Sequence, residues 1–320
     1  MRAFDFDKTI YDGDSTRDFY FYCLRHYPKI CLELSRQAFH FFFFAAGIEP
    51  KTVFKENFYR FFRRIPDMDA AVRSFWDTHF SKIKAWYRED VRADDVIISA
   101  SPAFLLEIPC KLLGLSSPIA SLVDPKTGAY TGENCYGEEK PPRFRAVHPE
   151  ATVEEFYSDS LSDAPMADLA EKSFIVRGDA VLPWNEYKPS CLSKVKKLFF
   201  SPSFVRFVLV GGLSTIVTAI LGKLYLTLLK EPVSSFAAGY ITTLLFSFLL
   251  NSKFTFEARP TPSRFVKFAV SYIPNFLIQC AAVFLLCTLL HLPEILAYLL
   301  AAVIGIPVTF ILMKVFTFKK

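Results

Sequence analysis

The sequence predicts an α/β domain on an open parallel sheet with an inserted helical segment, followed by an all-α domain of four transmembrane helices. Three observations predict this. Apolar runs at 2–6, 96–98 and 153–157 each lead into acidic or hydroxyl residues, and runs of that kind read as buried strands whose C-terminal ends carry the ligand site. The stretch 12–96 between the first two is too long for a loop and reads as helical. Four long apolar runs occupy the last third.

At 320 residues the chain has room for one large domain or two modest ones. Of its 37 Lys/Arg and 32 Asp/Glu, ten and three lie from Phe204 onward, leaving 27 and 29 before it. The basic excess therefore sits in the last third. The near-neutral first part has no electrostatic footprint for nucleic acid. Seven cysteines, at positions 23, 31, 110, 135, 191, 280 and 287, form no CxxC pair, which predicts reduced thiols in a cytosolic and membrane setting. The first ten residues hold four charges and no apolar stretch, so no secretory leader is expected.

The chemistry-bearing residues of the first part follow the strand-like runs. Asp5 and Asp7 stand at the end of the first run. Two carboxylates one residue apart can share a divalent cation, leave one free for proton transfer, and offer Asp5 as a nucleophile toward phosphorus. Mg²⁺ would neutralise the phosphate and hold it in line. Thr9 adds a hydroxyl. Ser99, in VIISASP, can bind a phosphate oxygen through its hydroxyl and adjacent N–H. Lys140, in YGEEKPPRF, offers a positive charge to the same phosphate. In SDSLSDAPM, Asp159 would complete the metal shell, and Asp163 would orient Lys140 or a metal-bound water. Each piece also has an ordinary reading as a turn, a solvated lysine or a helix N-cap. Those readings do not explain four motifs in one order, three of them at strand ends.

Residues 1–180 resemble the haloacid dehalogenase superfamily of phosphatases, through DFDKT, Ser99 in ISASP, Lys140, and SDSLSD. They look most like the subgroup with phosphoserine phosphatase and phosphatidylglycerophosphate phosphatase. The resemblance implies a Rossmann-like core over 1–187 with a helical cap at about 13–92, and a Mg²⁺-dependent phosphoric monoester hydrolase. It implies Asp5 as nucleophile and Asp7 as acid and base. Two departures are Lys8, where a Gly is common, and SDSLSD in place of GDGxND. Both keep the carboxylates. Within the cap, AFHFFFFAAGI (38–48) is too short to span a bilayer. It reads either as cap core or as an interfacial segment beside Lys51, Lys55, Arg60, Arg63 and Arg64.

A basic linker, 188–203, leads to spans at about 204–229, 233–250, 268–290 and 295–313. Lys188, Lys194, Lys196, Lys197 and Arg206 precede the first span. Lys253, Arg259, Arg264 and Lys267 fill the middle loop, and Lys314, Lys319 and Lys320 the tail. This bias predicts that both ends are cytoplasmic. A shift of 61 residues lays FVRF (204–207) on FVKF (265–268), Pro232 on Pro293 and Lys253 on Lys314. The domain thus reads as two repeated hairpins about an axis along the membrane normal. The same shift places Ser214 on Asn275 and Thr218 on Gln279, two polar faces that either glue helices or line a polar path. Gly211-Gly212 is expected to permit close backbone approach. RFVLVGGLST, FSFLLNSKFTF and ILMKVFTF resemble the GtrA-like family of four-span membrane proteins over 204–320. That resemblance implies a polyprenyl-phosphate-linked sugar as the substrate class.

Together these expectations describe a plasma-membrane, multi-pass phosphatase with its catalytic domain in the cytoplasm. Its substrate would be a phosphomonoester on a membrane lipid or polyprenyl-linked sugar, in cell-envelope glycan or lipid synthesis. A phosphatidylglycerophosphate-type substrate, a translocator with a regulatory phosphatase domain, and a soluble sugar phosphate stay open. The bilayer is the expected partner, and so small a membrane unit has room to form a homo-oligomer.

Overall fold

The computed structural model describes all residues except 191, 192, 194, 196, 197 and 320. The expectations for Lys194, Lys196, Lys197, Lys320 and Cys191 lie outside the described residues. The chain divides into two compact units, one of Met1–Phe44 with Glu49–Pro189, the other of Ala45–Ile48 with Ser190–Lys320.

The first unit is built on a six-stranded sheet in the order β3-β2-β1-β4-β5-β6. The strands are β1 (Arg2–Phe4), β2 (Val96–Pro102), β3 (Ile119–Ser121), β4 (Val153–Ser158), β5 (Ala170–Arg177) and β6 (Ala180–Pro183). The first five are mutually parallel, and β6 closes the edge antiparallel to β5. Alternation explains the apolar strands. Ala3, Val96 and Ile98 enter a core with Phe144, Phe156 and Met166 on one face. Phe4 and Ile97 enter the core on the other. Over β1 and β2, where both faces are covered, a polar side chain needs a partner. Arg2 meets that condition through two 2.8 Å bonds from its guanidinium to the buried Asp95.

After β2 and β3 are laid on one side of β1, the chain crosses to β4 on the other. That reversal is the switch point where ligand sites of open sheets lie. Between β1 and β2 run α1 (Ser15–His26), α2 (Leu34–Ala45), α3 (Lys51–Tyr59), α4 (Met68–His79) and the short α5 (Ala85–Arg88). This insertion shares its core with the sheet. Trp76 of α4 packs edge-on against Phe6 and Tyr11, and its indole N–H donates to Leu105 O at 2.7 Å. After β2 come α6 (Ala103–Leu112), α7 (Lys140–Val147) and α8 (Ala164–Ala167). The Phe-rich stretch does not form core: Phe39, Phe41 and Phe42 are 58%, 58% and 44% exposed, while Gln37 is buried on Tyr20.

The second unit contains α9 (Pro202–Leu229), α10 (Pro232–Leu250), α11 (Pro262–Val270), α12 (Tyr272–Phe284) and α13 (Glu294–Leu312). Among the described residues, Pro202–Leu229 and Pro262–Thr288 are each long and apolar enough to cross a membrane. The third apolar run starts earlier than its hydropathy suggests, as the amphipathic α11 capped by Thr261. The repeat has a structural counterpart. Phe310 packs on Phe204 at 5.1 Å and Phe207 at 5.5 Å, and Phe248 packs on Phe265 at 5.3 Å and Phe268 at 5.5 Å. Each helix pair thus lends the other the same ring. Wide helical turns at Asn251–Thr255 and Met313–Thr317 end the two hairpins alike.

Candidate active site

β1 ends where Asp5 N donates to Tyr157 O at 2.8 Å, so the Asp5 side chain emerges at the carboxyl edge of the sheet. Asp5, Asp7, Ser99, Lys140, Asp159 and Asp163 all line one cavity of about 460 Å³. Lys140 opens α7, fully buried, and bridges Asp5 Oδ1 at 2.7 Å and Asp163 Oδ2 at 2.8 Å. Burial alone would push its ammonium down, but the two carboxylates reverse that and raise it. Asp163 also accepts from Ser158 Oγ at 2.7 Å.

Asp7 is held from two sides. Ser15 N, at the start of α1, donates to Oδ1 at 2.6 Å, and Ser101 Oγ donates to Oδ2 at 2.5 Å. Burial pushes the Asp7 carboxyl up to about 6, aided by the charge of Asp14 and opposed by Ser101 and Ser15. Asp5 is pushed up to about 7 by burial, with Lys140 pulling against it. Burial also raises Asp159.

Thr9 takes a different place from the one expected. It is fully buried, and its Oγ1 accepts the Asp159 N–H at 2.9 Å. Its hydroxyl is engaged in pinning the Asp159 loop to the β1 loop, so it lines no part of the cavity described here. Ser99 lines the cavity, and its Oγ accepts from Ser101 N at 3.2 Å. Lys8 occupies a left-handed conformation with φ 60, which explains why a glycine suits this position.

The donor set suits a hard divalent cation. Five buried or half-buried carboxyls, those of Asp5, Asp7, Asp14, Asp159 and Asp163, line the space with Lys8, Arg17, Lys51, Lys55 and Lys140, and among the described residues only Lys140 ion-pairs with any of them. Mg²⁺ takes one or two carboxylates and keeps its waters. Asp5 Oδ2 and the Asp159 carboxylate make no hydrogen bond among the described residues and are the groups that fit. Asp7 and Asp163, also expected as metal ligands, accept from Ser15 and Ser101 and from Lys140 and Ser158 respectively, and Asp163 thereby orients Lys140. Among the described residues no three acidic, thiol or imidazole groups converge into a closed metal cage.

Sequence reasoning missed Ser15 and Ser101, which hold Asp7, and read Lys51 and Lys55 beside a membrane interface whereas both line the cavity. The second serine of SASP, which begins at Ser99, was the available signal for Ser101; Ser15 carries none in the linear sequence.

In the second unit, Ser214, Thr218, Asn275 and Gln279 line one cavity of about 550 Å³, with Thr243, Ser247 and Thr309. Gln279 Nε2 donates to Asn275 Oδ1 at 3.3 Å. Among the described residues no Asp, Glu, Lys, Arg or His lines this space. Gly211-Gly212 does not serve close packing, because a Cβ at either would meet nothing within 4 Å. The close approach is at Gly305, where a Cβ would fall 2.5 Å from Asn275 Oδ1.

A family model described as haloacid dehalogenase-like hydrolase matches residues 3–168. A second, GtrA/DPMS transmembrane domain, matches residues 206–318. No curated protein matches the chain. Similar solved structures include a protein of unknown function from Bordetella pertussis Tohama I, 17% identical, covering 54% of this chain and 87% of that one, with a TM-score of 0.46. Another is a phosphoserine phosphohydrolase-like protein from Francisella tularensis subsp. tularensis SCHU S4, 14% identical, covering 54% and 86%, with a TM-score of 0.37.

Proposed function

The chain belongs to the haloacid dehalogenase-like hydrolases and carries a GtrA/DPMS transmembrane domain, which makes it a membrane-associated phosphatase, and from that premise we propose that it hydrolyses a phosphomonoester on a lipid or lipid-linked sugar. The observation that carries the chemistry is the buried Lys140 bridging Asp5 and Asp163 at the carboxyl edge of β1. Lys140 fixes the Asp5 carboxylate through Oδ1, and that carboxylate attacks phosphorus. The bond to the leaving oxygen breaks as the Asp5–phosphorus bond forms, and Asp7 gives that oxygen its proton. After the alcohol departs, Asp7 takes a proton from water, which attacks phosphorus and frees phosphate from Asp5. Asp5 and Asp159 would hold Mg²⁺, whose charge lowers the repulsion between carboxylate and phosphate. Ser15 and Ser101 hold the Asp7 carboxyl in place.

A lipid-borne substrate is favoured by the second unit and by the exposed Phe39, Phe41 and Phe42 of α2. A 12-residue helix is too short to span a bilayer but suits its interface. The positive stretch that follows α10 and runs into α11, with Lys253, Arg259, Arg264 and Lys267, favours a cytoplasmic catalytic domain in the plasma membrane. Four spans in two hairpins, and pairing with a second copy, belong to the same reading. The uncharged polar cavity of the second unit favours a second reading, in which that domain receives or moves a polyprenyl-linked sugar.

The test is phosphate release by full-length protein with Mg²⁺ across lipid and soluble phosphates, beside Asp5→Asn. Release from a lipid phosphate, abolished in the variant, is expected; release from soluble esters alone would overturn the lipid assignment. Transport in liposomes by Asp5→Asn protein tests the second reading: undiminished movement would make the membrane domain an independent translocator.

A further inference from the structure

Helix α3 presents one stripe to the catalytic cavity. Lys51, Phe54, Lys55 and Phe58 all line it, at spacings of three, four and seven residues that put them on one helical face. Two lysines four apart on one face repel each other and weaken their own helix. Neither has a carboxylate partner among the described residues. Lys55 Nζ donates only to neutral acceptors, Ala100 O at 3.0 Å and Asn134 Oδ1 at 3.2 Å. Asn134 is itself fixed by Ser121 Oγ at 3.0 Å, so the ammonium is aimed by a built support. Lys51 Nζ lies 3.4 Å over the Tyr136 ring.

Lys140 differs. Its charge is committed to Asp5 and Asp163, the groups that handle the transferred phosphoryl. The charge on α3 makes no ion pair among the described residues, and burial with the nearby Lys51 pushes the Lys55 ammonium down to about 8 against the opposing charges of Asp7 and Asp14. A cation held inside a pocket against its own hydration wants an anion.

We infer that the substrate carries a second phosphate anion, beside the one transferred to Asp5, bound by Lys51 and Lys55, with Phe54 and Phe58 against the start of an apolar tail. This rests on reading the cavity as a phosphatase site. It narrows the substrate to an amphiphile with two phosphates: either a diphosphate ester, or a lipid with an internal phosphodiester and a terminal phosphomonoester. A polyprenol or sugar with a single phosphate would leave the α3 lysines unanswered. For a diphosphate the terminal P–O bond breaks, Asp7 protonates the bridging oxygen, and the product keeps one phosphate on Lys51 and Lys55.

Binding tests the inference without turnover. Full-length protein in micelles with Mg²⁺ is titrated calorimetrically with three non-hydrolysable amphiphiles. These are dodecyl phosphonate, dodecyl methylene-diphosphonate, and a lysophospholipid bearing a phosphodiester and a terminal phosphonate. At least one two-anion probe should bind about tenfold or more tighter than the one-anion probe, the scale of a charge-assisted hydrogen bond. Which probe wins tells diphosphate from phosphodiester. Lys51→Gln with Lys55→Gln should erase the advantage, and Lys51→Arg with Lys55→Arg should keep it. Equal binding of one-anion and two-anion probes by the unmodified protein overturns the inference. So does an advantage that survives the Gln pair, since that comes from Mg²⁺ chelation. The advantage without turnover of any ester would sink the phosphatase reading alone, whereas turnover without the advantage would sink this inference alone.

Discussion

Lys140 holds two carboxylates with one buried ammonium. Removing one member of such a group leaves the others charged and unpaired, which costs about 3–5 kcal/mol. Lys140→Ala should therefore lower the thermal unfolding midpoint of the full chain steeply and bring phosphate release to background, both read on the same preparation. Unchanged stability would mean that Asp5 and Asp163 find other partners. Lys8 makes the opposite case. An L-residue in the left-handed region is strained by about 1–2 kcal/mol relative to glycine. Lys8→Gly should raise stability by about 1 kcal/mol, the strain relieved less the extra freedom glycine loses on folding. A lower midpoint would show that the Lys8 side chain contributes more than its backbone costs. Thr9 teaches a limit of motif reading. A hydroxyl two residues beyond Asp7 was legible, but its partner, the Asp159 N–H, is 150 positions away.

Among the elements, α3 places the basic stripe, and its C-terminal end is set by a turn far along the chain. Gly128 has φ +78, and a Cβ there would fall 2.5 Å from Tyr59 O. The turn is stiffened by Asp124 Oδ1, which accepts from Lys126 N at 2.8 Å and Thr127 N at 2.7 Å. Backbone cannot yield as a side chain can, so Gly128→Ala should cost more than about 2 kcal/mol through strain and clash together. It should also shift α3. The prediction is checked by chemical denaturation together with KM for a two-anion substrate. KM should rise more than kcat falls, because the substitution displaces binding groups rather than Asp5 or Asp7. A KM equal to that of the unmodified protein would show that the helix keeps its place. The helical nature of 12–96 was legible from its length between strands. Which face of α3 meets the cavity was not, because Lys51, Phe54, Lys55 and Phe58 look like any amphipathic stripe until the turn at Gly128 is laid beneath them.

For the whole molecule, the two cores built around the sheet draw, among the described residues, on none beyond Trp184. The ring cluster of Phe207, Phe248, Phe268 and Phe310 belongs to the second unit. Residues 1–189 made alone should unfold in one cooperative transition and keep hydrolysing a water-soluble two-anion ester, while losing retention by membranes. A fragment without a cooperative transition would show that the first unit needs the rest of the chain. The duplication in the second unit was legible as a 61-residue shift. Its physical content, two Phe rings exchanged between equivalent helices, needed coordinates.

The linear order of residues determined the parts whose physics is local. Period-two apolar runs make strands wherever both faces of a sheet are covered, so Asp5, Asp7 and Asp159 had to emerge at strand ends. Long uncharged runs require an apolar surrounding, so the last third had to be membrane. The tertiary structure decided what depends on distance through space. It gave the Asp7 carboxyl to Ser15 and Ser101, turned Thr9 away from the cavity, exposed the Phe-rich face of α2, and put two lysines of α3 in the cavity with no ion-pair partner among the described residues. A hydrogen bond or an unpaired charge is set by separations of a few ångströms, and residues far apart in the chain reach those separations only once the fold has closed.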